Sequence, residues 1–145
     1  MARKYLLSII CFCLIFLFVY ASVSKLVDLK GFRHDINNQP FPNEWTVFLV
    51  VTIPGIELVT VASLIFEKTR RLGLYLSALL MSTFTLYTIL ILLRVFKYVP
   101  CSCGGVLKLL TWPQHLVFNL SFVIVAIIGL RIEKRTKISD HNFCP

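Results

Sequence analysis

Charge is scarce in this chain. Charged residues make up 15% of its 145 positions, and they cluster between long apolar runs rather than spreading along the sequence. That shortage argues against an ordinary soluble domain, which carries far more polar surface at this length. A secreted disulfide framework is also excluded. Of the five cysteines, Cys11 and Cys13 lie inside an apolar run and Cys144 at the extreme tail, which leaves Cys101 and Cys103 as the one suggestive pair. The net charge of +8 does not point to nucleic acid. Lys and Arg flank the apolar runs, so no soluble basic face is left over, and their natural partner is the anionic lipid headgroup.

What is present in quantity is hydrocarbon. Hydrophobic residues reach 57% and the mean hydropathy is +0.81. Four apolar runs stand out, at about 5–23, 45–66, 72–93 and 114–130, each close to the roughly 20 residues that an α-helix needs to cross a bilayer. The expected fold is therefore all-α, an integral membrane four-helix bundle forming one domain over 1–130, followed by a basic, solvated tail over 131–145. The first run carries a permissive signal-peptidase site at Val19-Tyr20-Ala21, but its length and the later spans favour an uncleaved first helix that continues toward Leu29. In the second run Pro54-Gly55 predicts a kink. In the third, Tyr75, Ala78, Ser82, Thr85 and Thr88 follow three- and four-residue steps, a stripe suited to close packing in lipid.

The connections are polar. Residues 30–44 carry turn signals at Asn37-Asn38-Gln39-Pro40 and Pro42-Asn43, and Phe32 and Ile36 are placed to lie along the membrane surface. Residues 94–113 hold Pro100-Cys101-Ser102-Cys103-Gly104-Gly105. Nine Lys and Arg fall on the side of the two chain ends and six on the other, accounting for all fifteen. The richer side is expected to be cytoplasmic, with both termini there, which puts the Cys101/Cys103 connection on the oxidising face of a bacterial inner membrane.

Cys101 and Cys103 are the leading candidates for chemistry. Pro100 ends the preceding helix and Gly104-Gly105 frees the backbone to bend. A disulfide across so short a ring is strained, and strained, exposed disulfides are the exchangeable ones. Arg94, Lys97 and Lys108 nearby favour the thiolate. Two idle loop thiols, or a metal site with His115 as third ligand, are the competing readings. The metal reading lacks a fourth ligand, and no metal is expected.

Glu57 is the second candidate. It falls about 18 Å below Trp45 along the helix, near mid-bilayer, where a carboxylate must be protonated, paired or facing a wet cavity. It suits a proton or quinone site, a quinone being the one cofactor these residues suggest. The plainer alternative is a protonated carboxyl bonded to Thr60 or to hydroxyls of the third helix. Lys25 is its candidate partner, across an axial gap of about 12 Å that side chains alone do not close. Cys11 and Cys13 point about 200° apart on a helix and read as apolar filler. His115 and Asn119 share a face and read as ties between helices.

Taken together, Ser24-Lys25-Leu26, Pro54-Gly55-Ile56-Glu57-Leu58, the Pro100–Gly105 loop, Trp112 and Phe118-Asn119 resemble the MauE/DoxX family of redox-associated membrane proteins, closest to its MauE branch (methylamine utilisation). The resemblance runs from about Tyr5 to Leu130. It implies a four-helix membrane bundle that serves disulfide formation or maturation of a periplasmic redox partner. In MauE itself the link is to methylamine dehydrogenase, whose small subunit holds many disulfides. The outer face of this chain has no second cysteine pair, so a separate thioredoxin-like partner is implied. The leading expectation is a thiol–disulfide oxidoreductase component or accessory maturation factor using Cys101, Cys103, Glu57 and Lys25. The alternatives are a small transport or ion-pathway subunit built on Glu57 and a non-catalytic assembly factor.

Overall fold

The computed structural model describes residues 2–39, 42–95 and 111–141. Among them the chain forms five α-helices: α1 (Ala2–Val27), α2 (Leu29–Asn37), α3 (Thr46–Ile65), α4 (Arg70–Leu92) and α5 (Trp112–His141), with one 3-10 turn at Asn43–Trp45 leading into α3. Four of these segments, Arg3–Val27, Asn43–Ile65, Arg70–Leu92 and Trp112–Arg135, are long and apolar enough to cross a membrane.

The four long helices close into a ring. α1 packs against α3 and α5, and α4 packs against the same two. On α1 the inward face reads Leu7, Ile10, Cys11, Leu14, Leu17 and Phe18, a three- and four-residue repeat that meets Val61 and Leu64 of α3, Leu74 and Met81 of α4 and Ala126 of α5. The opposite face is equally apolar, with Ile9, Phe12, Phe16 and Val19 exposed. A soluble helix would be polar there, whereas lipid accepts apolar side chains on every outward face.

Because lipid tails give no hydrophobic drive for one helix to join another, close backbone approach matters more. On α4 the buried stripe is Gly73, Ser77, Met81, Thr85 and Thr88. The sequence stripe shares only Thr85 and Thr88 with it. Tyr75 and Ser82 are exposed and Ala78 is half-buried. The stripe is set by Gly73, where an added Cβ would come within 2.7 Å of the Leu64 backbone nitrogen, so the backbones of α3 and α4 approach closely there. Two hydroxyls on the stripe turn back onto their own helix. Ser77 donates to the Gly73 carbonyl at 2.8 Å and Thr85 to that of Met81 at 2.7 Å, each satisfied one turn back on its own helix.

Two boundaries depart from the sequence pattern. Residues 29–37 are not merely a surface connection. They form α2, capped by Asp28, which accepts from the Gly31 amide at 3.0 Å, and Phe32 and Ile36 are buried against Val50. At the other end, α5 continues through residues 131–141, since neither glycine nor proline interrupts the chain between Gly129 and Pro145.

Candidate functional site

α1 ends in Ser22 and Lys25, three residues apart and so on one face of the helix. α3 runs unbroken as a helix through Pro54 and presents Glu57 to that face. Glu57, Thr60 and Ser22 are fully buried and Lys25 is 5% exposed. The Lys25 Nζ donates to Glu57 Oε1 at 2.7 Å. Ser22 Oγ donates to Glu57 Oε2 at 3.0 Å and also lies 3.5 Å from the Pro54 carbonyl. The ammonium is further held by the Ala21 carbonyl at 3.4 Å and by the face of the Phe32 ring, 5.9 Å from its centroid. Each carboxylate oxygen thus has its own donor, the condition under which a buried ion pair survives removal from water.

The axial gap expected between Lys25 and Glu57 is absent, for a reason that no single helix reveals. α3 does not begin level with the end of α1. Its first turns lie alongside α2, where Val50 meets Phe32 and Ile36 and Thr46 Oγ1 donates to Asn37 Oδ1 at 2.6 Å. By the time α3 reaches α1 it has advanced to Pro54, so Glu57 stands opposite Ser22 and within reach of Lys25. The plainer partners expected for Glu57 are not the ones it uses. Thr60 donates to the Ile56 carbonyl at 2.8 Å, and Thr88 of α4 to that of Phe84 at 2.8 Å.

The pair forms part of the wall of a cavity of about 340 Å³ between the helices, mostly apolar and lined at the α2 end by Phe32, Ile36 and Gln39. Across it, α4 contributes Tyr87 and Thr88, and α5 contributes Trp112, His115 and Asn119. His115 and Asn119 are buried. Asn119 ties the two helices as expected, its amide donating to Thr88 Oγ1 at 3.4 Å. His115 packs near the Trp112 ring, 6.1 Å between centroids. The Tyr87 hydroxyl donates to the side-chain carbonyl of Gln39, joining α4 to the segment after α2.

Cys101 and Cys103 lie outside the described residues, as do Lys97 and Lys108. The two ends of their connection are described. α4 closes with Arg94 at φ 55°, its amide bonded to the Ile91 carbonyl at 2.9 Å and that of Val95 to Leu90 at 3.2 Å. This is a Schellman ending with arginine where glycine is usual. α5 opens with Gln114 accepting from the Thr111 amide at 2.9 Å. Both ends belong to the part of the bundle that holds Tyr87, Trp112 and the cavity. Cys11 is buried and Cys13 exposed, both as free thiols.

Two residues of the site, Ser22 and Tyr87, belong to no motif of the sequence. Ser22 had a signal, its three-residue spacing from Lys25. Tyr87 had none, since one aromatic hydroxyl among many apolar neighbours marks no face. No curated protein and no solved structure matches the chain. The family model described as methylamine utilisation protein MauE matches residues 3–132. That span takes in three of the four membrane-length segments whole and all but the last three residues of the fourth, together with the Lys25–Glu57 pair and the cavity walls, and the chain belongs to the MauE family.

Proposed function

We propose that this multi-pass membrane protein is a thiol–disulfide redox protein that supports disulfide formation in, or maturation of, a periplasmic redox partner in methylamine utilisation. Family membership over residues 3–132 carries this reading. The paired cysteines of the α4–α5 connection supply its chemistry. In the oxidised state Cys101 and Cys103 form a disulfide. A partner thiolate attacks one sulfur to give a mixed disulfide, and the partner's second thiolate then displaces it. The partner leaves with a new S–S bond, and Cys101 and Cys103 leave as two thiols, having gained two electrons and two protons. Glu57 handles a proton near that end of the bundle, and Lys25 holds it in place. The bias of Lys and Arg toward the end with both termini sets that end in the cytoplasm and the cysteine pair outside an inner membrane, where a thioredoxin-like partner works.

Trapping tests the exchange. With Cys103→Ser, the remaining Cys101 has no resolving neighbour and should accumulate a reductant-sensitive adduct with its partner, visible as a higher-mass band in membranes. The double Cys101→Ser/Cys103→Ser chain should show none. A chain keeping one cysteine of the pair that never forms an adduct, whichever of the two is retained, contradicts the proposal.

The full burial of Glu57 in a proline-containing helix favours one second reading, a small transport or ion-pathway subunit. It predicts that Glu57→Gln abolishes function while Cys101→Ser is silent. The redox reading predicts that Cys101→Ser abolishes it.

A further inference from the structure

The helices around the cavity do not seal against one another along their whole length. α3 and α4 come together at Leu64 and Gly73, near the end of the one and the start of the other. Farther along, Leu49, Ile53 and Ile56 of α3 and Leu80, Thr83 and Tyr87 of α4 line the cavity, and none of them is buried. The α1 side chains on the same wall, Leu17, Phe18, Ala21 and Lys25, are all buried. The cavity therefore opens sideways, between α3 and α4. We infer that this opening is a lateral portal through which one acyl chain of a phospholipid enters and occupies the cavity.

The chemistry of the wall excludes a polar guest. Its buried polar groups already have partners within the protein. Glu57 accepts from Lys25 and Ser22, Asn119 donates to Thr88, Thr88 to the Phe84 carbonyl and Tyr87 to Gln39. His115 is engaged within the protein as well. A guest with carbonyls or hydroxyls would leave its own polar atoms unpaired, at the cost of their desolvation. Water would lack the two to four polar partners that hold it in a buried site. Hydrocarbon asks for none. The volume, about 340 Å³, lies in the range of cavities that hold small organic molecules.

The depth of the portal selects the chain of a phospholipid as that hydrocarbon. Trp45 is 56% exposed and marks the lipid–water interface. Leu49 and Ile56 follow it by four and eleven residues, which places the opening from about 6 Å to about 16 Å below that level. The hydrocarbon core is about 30 Å thick, so the opening spans most of the acyl region of one leaflet. A phospholipid there keeps its head group in water while one chain bends in, and its abundance in the bilayer favours occupancy by mass action. A chain so placed lies against the Lys25–Glu57 pair and keeps water from it. The site stands apart from the thiol–disulfide reading and does not need it.

Photolabelling of the full chain in nanodiscs tests the site, with a phosphatidylcholine that carries a diazirine on one acyl chain. Adducts are mapped to residues by tandem mass spectrometry. Ala21 and Met81 are buried and line the cavity, whereas Val23 and Leu79 are exposed on the outer faces of the same two helices. All four should take the label. Ala21→Phe, which fills the cavity, should lose the Met81 adduct and keep those at Val23 and Leu79. Thr83→Phe, a change at an exposed lip of the portal, should lower the Ala21 and Met81 adducts several-fold, and it decides should the Ala21→Phe chain fail to fold. Adducts confined to Val23 and Leu79 in the parent chain overturn the assignment, as does a Met81 adduct undiminished in Ala21→Phe or Ala21 and Met81 adducts undiminished in Thr83→Phe. A diazirine-bearing isoprenoid alcohol that labels Ala21 and Met81 where the phospholipid does not would overturn the phospholipid as the source of the chain.

Discussion

Lys25 and Glu57 show how strongly a single ion pair can constrain a membrane protein. Neither charge is tolerable alone among apolar helices. Removing one partner leaves the other buried and uncompensated, at a cost of about 3–5 kcal/mol. Lys25→Met and Glu57→Gln should therefore differ. The methionine leaves a carboxylate with only Ser22 as a side-chain donor, whereas the glutamine is neutral and can still accept from Lys25. Denaturant unfolding in micelles should show the larger loss for Lys25→Met, with most of it recovered in the Lys25→Met/Glu57→Gln double variant. Equal losses that simply add would mean that the two side chains do not act as a pair. Glu57 could be singled out from its sequence position alone, because an acid twelve residues beyond Trp45 on an apolar helix has few ordinary explanations. Its partner could not. The register of α1 against α3 is set by α2 and the turn at Asn43–Trp45, and no local pattern reports it.

At the scale of the element, hydropathy and length located the four spans, because lipid imposes its thickness on any helix that crosses it. α2 escaped that logic. With nine residues and two buried apolar side chains, it is stable only where α3 covers it, and no periodicity argument of that length separates it from a loop. The α4 stripe was misplaced for a related reason. Hydroxyl residues attract attention in an apolar helix, but it is Gly73 that permits the approach of α3. Gly73→Ala should consequently lower the unfolding midpoint despite alanine's better helix propensity, by an overpacking cost of about 1–3 kcal/mol. Gly129→Ala should be neutral or slightly stabilising, because the atoms a Cβ would meet there are the tips of Leu74 and Ile10, 2.9 and 3.0 Å away, which can rotate aside. At the end of α4, Arg94→Gly should raise the midpoint, since a left-handed conformation costs a side-chain-bearing residue about 1–2 kcal/mol. Thermal unfolding of the three variants under one set of conditions checks all three directions.

For the whole molecule, the family and the membrane bundle could both be read from the sequence, since the Cys-x-Cys loop, the Pro-Gly-Ile-Glu segment and the apolar spans are each local patterns. The cavity could not, because its wall draws on all five helices and exists only once they close into a ring. Its position matters to function. The connection bearing Cys101 and Cys103 departs from Val95 and returns at Thr111, at the end of the bundle where the ion pair and the cavity lie. The protein's chemistry is thus predicted to gather at one end, facing away from the cytoplasm. Labelling of intact cells with a membrane-impermeant maleimide, before and after mild reductant, tests this most directly. Cys101 and Cys103 should resist the reagent until reductant is added and then both take it up from outside. Two cysteines that react without reductant, or that stay unlabelled in intact cells after reduction yet react once the cells are opened, would contradict the account.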